Sequence, residues 1–274
     1  MSMFWIKIII MVIGGGIALY GKSQMRTGAP WAQPVSVLGA LMAFAVAMWS
    51  LYGTIFQGGA AAAIEREHEY TRIEHKFLGE AIVKEVANVK KVVVLVDSSM
   101  FYDEWGAKRP TPLPYPALDG LKQGLGSGVE VVEVMPEVKQ IKKPADPNAL
   151  PPMMMGMMMD RRKFAKCVAD AKAAKGDVFV ALSMLPPEVG LGNIAKSLKG
   201  MKVALANCGS LDIVGQIFND GGKSACDLIA VVTSKASAIY DEELPSNETK
   251  AFNRRYSLIT KSNYQTEIKK AQAK

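Results

Sequence analysis

Val35–Phe56 runs for about 22 residues without a charge. That is enough helix to cross the hydrocarbon of a bilayer, and no water-soluble fold of ordinary size hides such a stretch cheaply. Pro34 opens it, and Trp31, Trp49 and Tyr52 stand where interfacial aromatics belong. Gly39, Ala40, Ala43, Ala45 and Ala47 permit close approach of another helix. A second apolar stretch, Phe4–Gly21, is interrupted only by Lys7, which can snorkel to an interface. The two predict a transmembrane hairpin over residues 1–58, joined by Lys22–Gln33. The chain is therefore expected in the cell membrane, in contact with the lipid bilayer. Basic residues near the span ends slightly favour a cytoplasmic main domain.

Residues 59–90 contain no proline and only Gly79 as a breaker after the opening glycine, so a helical connector is expected. Ile64, Ile73, Phe77, Ile82, Val83, Val86 and Val89 form an imperfect apolar stripe. Both histidines lie here, in a seven-residue echo: Glu67-His68-Glu69-Tyr70, then Glu74-His75-Lys76-Phe77. Glu65-x-x-His68 pairs two metal-ligand types on one helical face. The plainer reading, preferred here, is a solvated or oligomer-facing stalk.

The remaining segment, 91–274, alternates strand and helix. Val92–Val96 is a continuous β-branched run between Lys90-Lys91 and Asp97-Ser98-Ser99, the signature of a strand buried on both faces. Further strands are expected at Val129–Val134, Asp177–Met184, Lys202–Ala206 and Leu228–Val232, with Arg255–Thr260 as a sixth. Helices are expected over Ala117–Leu125, Arg161–Lys175, Ile194–Leu198 and Leu211–Asn219, the last capped by Ser210. This order predicts a Rossmann-like, three-layer α/β domain with a five- to six-stranded, mostly parallel sheet in the order 2-1-3-4-5. Two long loops interrupt it. Met100–Pro116 carries Pro110, Pro112, Pro114 and Pro116, and is expected to be extended. Glu137–Asp160 ends in a methionine run that includes Met153, Met154, Met155, Met157, Met158 and Met159.

Leu118-Asp119-Gly120-Leu121-Lys122-Gln123-Gly124-Leu125, followed by Gly128-Val129-Glu130-Val131-Val132-Glu133-Val134, resembles the first helix and second strand of type I periplasmic-binding-protein lobes. Asp177–Leu182 is similar to the third strand of that family. The resemblance covers one lobe, roughly residues 90–235, and implies a fold more than a function.

Open α/β sheets take ligands beyond the carboxyl ends of their strands. Asp97, Ser98, Ser99, Asn207, Ser210 and Lys235 are the candidate ligand-binding residues there. Asp97-x-Ser99 resembles the start of a metal-ion-dependent adhesion motif, but Phe101 holds the third position. Asp97 with Lys235 resembles two corners of a response-regulator receiver, without a phosphoacceptor aspartate on the third strand. Gly190-x-Gly192-x-x-Ala195 fits a dinucleotide pattern displaced from the strand end that it needs. The 91–274 segment contains no histidine, so no Ser-His-Asp or Cys-His set can form within it. Cys167, Cys208 and Cys226 form no CxxC pair and are expected as buried thiols. Of the 33 basic residues, three lie in the first 57, where there is no acid, leaving 30 against 26 acids, which is no nucleic-acid footprint. No cofactor, resident metal or catalytic residue is expected. The function expected is that of a non-enzymatic membrane subunit touching other subunits, or its own copies, through the two loops, with the six methionines as contacts. A membrane-tethered ligand-binding or sensor domain is the alternative.

Overall fold

The computed structural model describes residues 3–25, 27–55, 59–103, 105–142, 159–182, 185–186, 189–206, 211–240 and 242–272. The chain divides into two compact units, Met1–Glu65 and Arg66–Lys274.

The first unit is built from α1 (Met3–Met25) and α2 (Ala32–Ile55), an antiparallel pair, together with the start of α3 (Gly59–Glu85). Small residues set the helix spacing. A Cβ on Gly39 would lie 2.5 Å from Ala18 N, and one on Gly21 would lie 2.6 Å from Ser36 N. Ser36 Oγ donates to the Ala18 carbonyl at 3.0 Å. The outward faces are apolar, with Val12, Leu19, Leu38 and Phe44 each more than 60% exposed. Within α2, Ala32–Trp49 is long and apolar enough to cross a membrane.

The second unit is a mixed α/β fold around one six-stranded sheet in the order β2-β1-β3-β4-β5-β6. The strands are β1 (Lys91–Leu95), β2 (Glu130–Val134), β3 (Val178–Ala181), β4 (Lys202–Ala206), β5 (Asp227–Ser234) and β6 (Tyr256–Thr260). All neighbours run parallel except β5 and β6. The sheet carries apolar side chains on both faces. Val93, Leu95, Phe179 and Leu205 enter one core, whereas Val92, Val94, Val180 and Ala204 enter the other. Ile229 bulges where β4 meets β5, between the pairs Val203–Leu228 and Ala204–Ala230. Asp177 anchors the amino end of β1, its Oδ2 accepting from the backbone N–H groups of Lys90 and Lys91 at 2.7 and 2.9 Å.

Helices α5 (Arg161–Ala173), α6 (Leu191–Ser197) and α7 (Leu211–Asp220), with Tyr264 of α9 (Tyr264–Gln272), cover the first face. The second face is covered by α4 (Pro116–Leu125), α8 (Glu248–Arg255) and, between them, α3. This corrects the stalk expectation. From Arg66 onward α3 is a layer of the domain, and Tyr70, Ile73, Leu78 and Ile82 are at most 1% exposed. Burying side chains of this size is worth about 1.5–3 kcal/mol each, too much for a helix left standing in water. The Gly120-x-x-x-Gly124 spacing belongs to this contact. A Cβ on either glycine would stand 2.0 Å from a carbonyl oxygen of α3, Arg72 O or Lys76 O.

Candidate functional site

β1 delivers Asp97 to the carboxyl end of the sheet, beside the point where the strand order reverses between β1 and β3. Asp97 caps a 3-10 turn over Ser98–Met100, its Oδ1 accepting from Ser99 N at 2.9 Å. Its own N–H donates to Tyr115 Oη at 3.1 Å. Burial pushes the Tyr115 phenol up to about 12, against the hydrogen bond from the Asp97 N–H, which favours the phenolate. Ser98 is 1% exposed, and its Oγ has no hydrogen-bond partner. Asp97 and Ser99 are half-buried.

The proline-rich loop is folded, not extended. Asp103 Oδ1 accepts from Trp105 N at 3.0 Å and Ala107 N at 2.8 Å. Arg109 Nε donates to the Tyr102 carbonyl, and Leu113 N to the Met100 carbonyl. Ile141 N donates to the Trp105 carbonyl, so this loop and the start of the next are tied together. Gly106 has φ +76, and a Cβ there would stand 2.5 Å from Lys139 O.

Lys235 follows β5 and is not a free cation: its Nζ donates to the Asn253 carbonyl and its N–H to the Arg255 carbonyl. With Thr233, Phe252, Tyr256 and Leu258 it lines a groove of about 1030 Å³ at the β5–β6 margin. Three strand spacings separate β1 from β5, roughly 14 Å, so Asp97 and Lys235 mark two ends of a row. Asn207 and Ser210, which the sequence places between those ends, lie outside the described residues, as do Met153, Met154, Met155, Met157 and Met158. Met159 is described and is a core residue at 8% exposure, in one cluster with Phe164 and Val168. Glu65 and His68 are exposed, and no group of three metal-ligating side chains forms among the described residues.

A second polar cluster escapes the sequence reading. It lies where α3 meets α8 and β6. Arg255 is 1% exposed and sits 3.4 Å over the Tyr70 ring. Its two terminal nitrogens reach Glu67 at 2.7 and 3.0 Å, and one also donates to the Tyr240 carbonyl at 2.7 Å. Burial pulls the Arg255 guanidinium down, but the Glu67 hydrogen bonds and charge outweigh it, for a net rise. Glu248 of α8 bridges Arg72 and Lys76 of α3, which holds the Glu248 carboxyl low. Phe77 stacks on Phe252 at 4.4 Å.

Beneath this clamp Glu74 is 3% exposed with Oε1 unpartnered, as is the Tyr70 hydroxyl. Burial alone pushes the Glu74 carboxyl up to about 8. Burial also depresses His75, which is 5% exposed and makes a 2.8 Å hydrogen bond from Nδ1 to the Thr71 carbonyl. The sequence did hold the signal. Glu74 is four residues from both Tyr70 and Leu78, which puts a carboxyl inside the apolar stripe.

Comparison with protein-family models, with curated proteins and with solved structures found no match in any of the three.

Proposed function

We propose that the chain is a membrane-anchored, non-enzymatic subunit of a larger assembly, whose α/β domain makes protein–protein contacts. The observation that carries the anchoring is the outward face of the α1–α2 pair. Val12, Leu19, Leu38 and Phe44 are largely uncovered by the described residues, and water is a poor solvent for such a surface. The close pairing of α1 with α2 favours two spans over one, since a helix seated on a spanning partner shares its surroundings. Counting Lys7, Arg66, Arg72 and Lys76 against Lys22 and Arg26 favours a cytoplasmic domain. The folded loop pair 98–115 and 135–142 supports the contact role, because a pre-ordered loop loses little freedom on binding.

Gentle detergent extraction followed by native mass spectrometry tests this. Stoichiometric co-purifying subunits, or a defined homo-oligomer, support it. A monomer that leaves membranes at alkaline pH and carries no partner overturns it.

Ser98 favours a second reading, a membrane-tethered ligand-binding or sensor domain. A buried hydroxyl without a partner at a strand-order reversal is what a small polar ligand would satisfy. A small bound mass in the same spectra, lost in Ser98→Val, supports this reading. Its absence from freshly extracted protein removes it.

A further inference from the structure

We propose that Glu74 is a proton-controlled latch: α3 lies flat on the sheet while this side chain is uncharged, and loosens when it ionises. The inference starts from geometry. Glu74 is 3% exposed, and its Oε1 accepts no hydrogen bond. An ionised carboxylate there would need a cation or water to offset its lost hydration.

The charged groups around it make their ion pairs elsewhere. On α3, the His75 ring stands 3.9 Å from Glu74 Oε2 but is turned to the Thr71 carbonyl, and its burial keeps it uncharged. The Tyr70 hydroxyl is unpartnered and carries no positive charge. From α8, Arg255 is held at both terminal nitrogens by Glu67 and the Tyr240 carbonyl, with its Nε alone unpartnered, and Glu248 is held by Arg72 and Lys76. From β6, the Tyr256 phenol is held protonated, first by burial and then by the neighbouring Glu74. From α4, Gln123 accepts from Arg72, and Lys122 pairs outward with Glu133. The other strands contribute apolar side chains to this core, Val180, Ala204 and Val232 among them.

An ionised Glu74 therefore has two exits. It can draw water, which lifts α3 from the sheet. Or it can draw Arg255 off Glu67 and the Tyr240 carbonyl. Either exit undoes the clamp between α3 and α8.

The direction with pH follows from linkage. An acid whose folded-state value lies above its unfolded value, here about 8 against 4.5, makes the folded state the stronger proton binder between them. Stability then falls as pH rises through that interval, and the loss is complete above it. His75 acts oppositely, its depressed value removing stability as pH drops below about 6.5. From about 6.5 to 8 the change is that of Glu74, and the buried Cys167 and Cys226 thiols add to it only toward pH 9, equally in wild type and variant.

The test uses the full chain in detergent micelles, as wild type and as Glu74→Gln, which keeps the shape and removes the proton. Between pH 6.5 and 9 the wild-type Tm is expected to fall by roughly 4–8 °C. Amides of Ile73–Ile82 should lose exchange protection beyond the intrinsic pH effect. Glu74→Gln should show neither change. Parallel profiles for the two proteins overturn the proposal. If Glu74→Gln does not fold, infrared titration of the wild type decides. A protonated-carboxyl carbonyl stretch present at pH 7 and fading through pH 8 supports the latch, and its absence at pH 7 overturns it.

Discussion

Arg255 and Glu67 form one ion pair with unequal ends. The guanidinium is 1% exposed, whereas the Glu67 side chain is 44% exposed. Removing the arginine leaves a carboxylate that can turn to water, and removing the glutamate leaves a buried cation. Arg255→Met is therefore expected to cost about 1–3 kcal/mol, mostly hydrogen bonds and the stack on Tyr70. Glu67→Ala should cost more, about 3–5 kcal/mol, because it strands the cation. Urea unfolding of both variants checks the order, and the reverse order would mean that packing on Tyr70 outweighs charge. Gly120→Ala and Gly124→Ala place a methyl against a carbonyl oxygen at 2.0 Å and are each expected to cost about 1–3 kcal/mol by the same measurement. Cys167 and Cys226 are buried as the sequence suggests, and burial pushes their thiols up to about 11 and about 12. Both should resist alkylation at neutral pH until the domain is unfolded.

Strands are the elements that the sequence announces best. Lys202–Ala206 is a strand from end to end, and β1 sits within one residue of its valine run, because a β-branched stretch between charges has few other uses. The candidate sixth strand forms, and the structure adds that it is antiparallel and at the edge. Helices with mixed faces are harder to read. α3 looks like a stalk because Glu74 and His75 interrupt its stripe, and only the packing reveals them to be inside. α8 is missed altogether. Its eight residues, ETKAFNRR, are mostly polar, and the apolar contacts that justify it, Ala251 and Phe252, are too few to set a period. Its one local signal is Asn247, whose side chain accepts from Lys250 N at 3.0 Å as an N-cap. Asn247→Ala should cost about 1 kcal/mol and loosen the Glu248 bridge with it, visible as lower exchange protection over residues 248–255.

At the level of the molecule, the two-part division is legible in the composition but its border is not. Composition changes after residue 58, whereas the compact units divide at Glu65 and Arg66, because the later part of α3 belongs to the sheet. A chain shortened to begin at residue 59 should stay soluble and show a cooperative thermal transition. One shortened to begin at residue 91 removes α3, bares Val92, Val94 and Val180, and should aggregate. Equal behaviour of the two would contradict the placement of α3 as a core layer. The candidate crevice was only half legible. The switch point fixes where Asp97 goes, but it says nothing of the contacts that occupy Asp97 and Lys235.

The Glu67–Arg255 pair closes a loop of 188 residues, which sets an order of events during synthesis. At about 5–20 residues per second, α3 waits roughly 10–40 s for the partner that completes its clamp. Throughout that time its apolar face has no α8 beside it, while the helices before it have already been made. The nascent domain thus has a built-in delay before α3 is clamped into place.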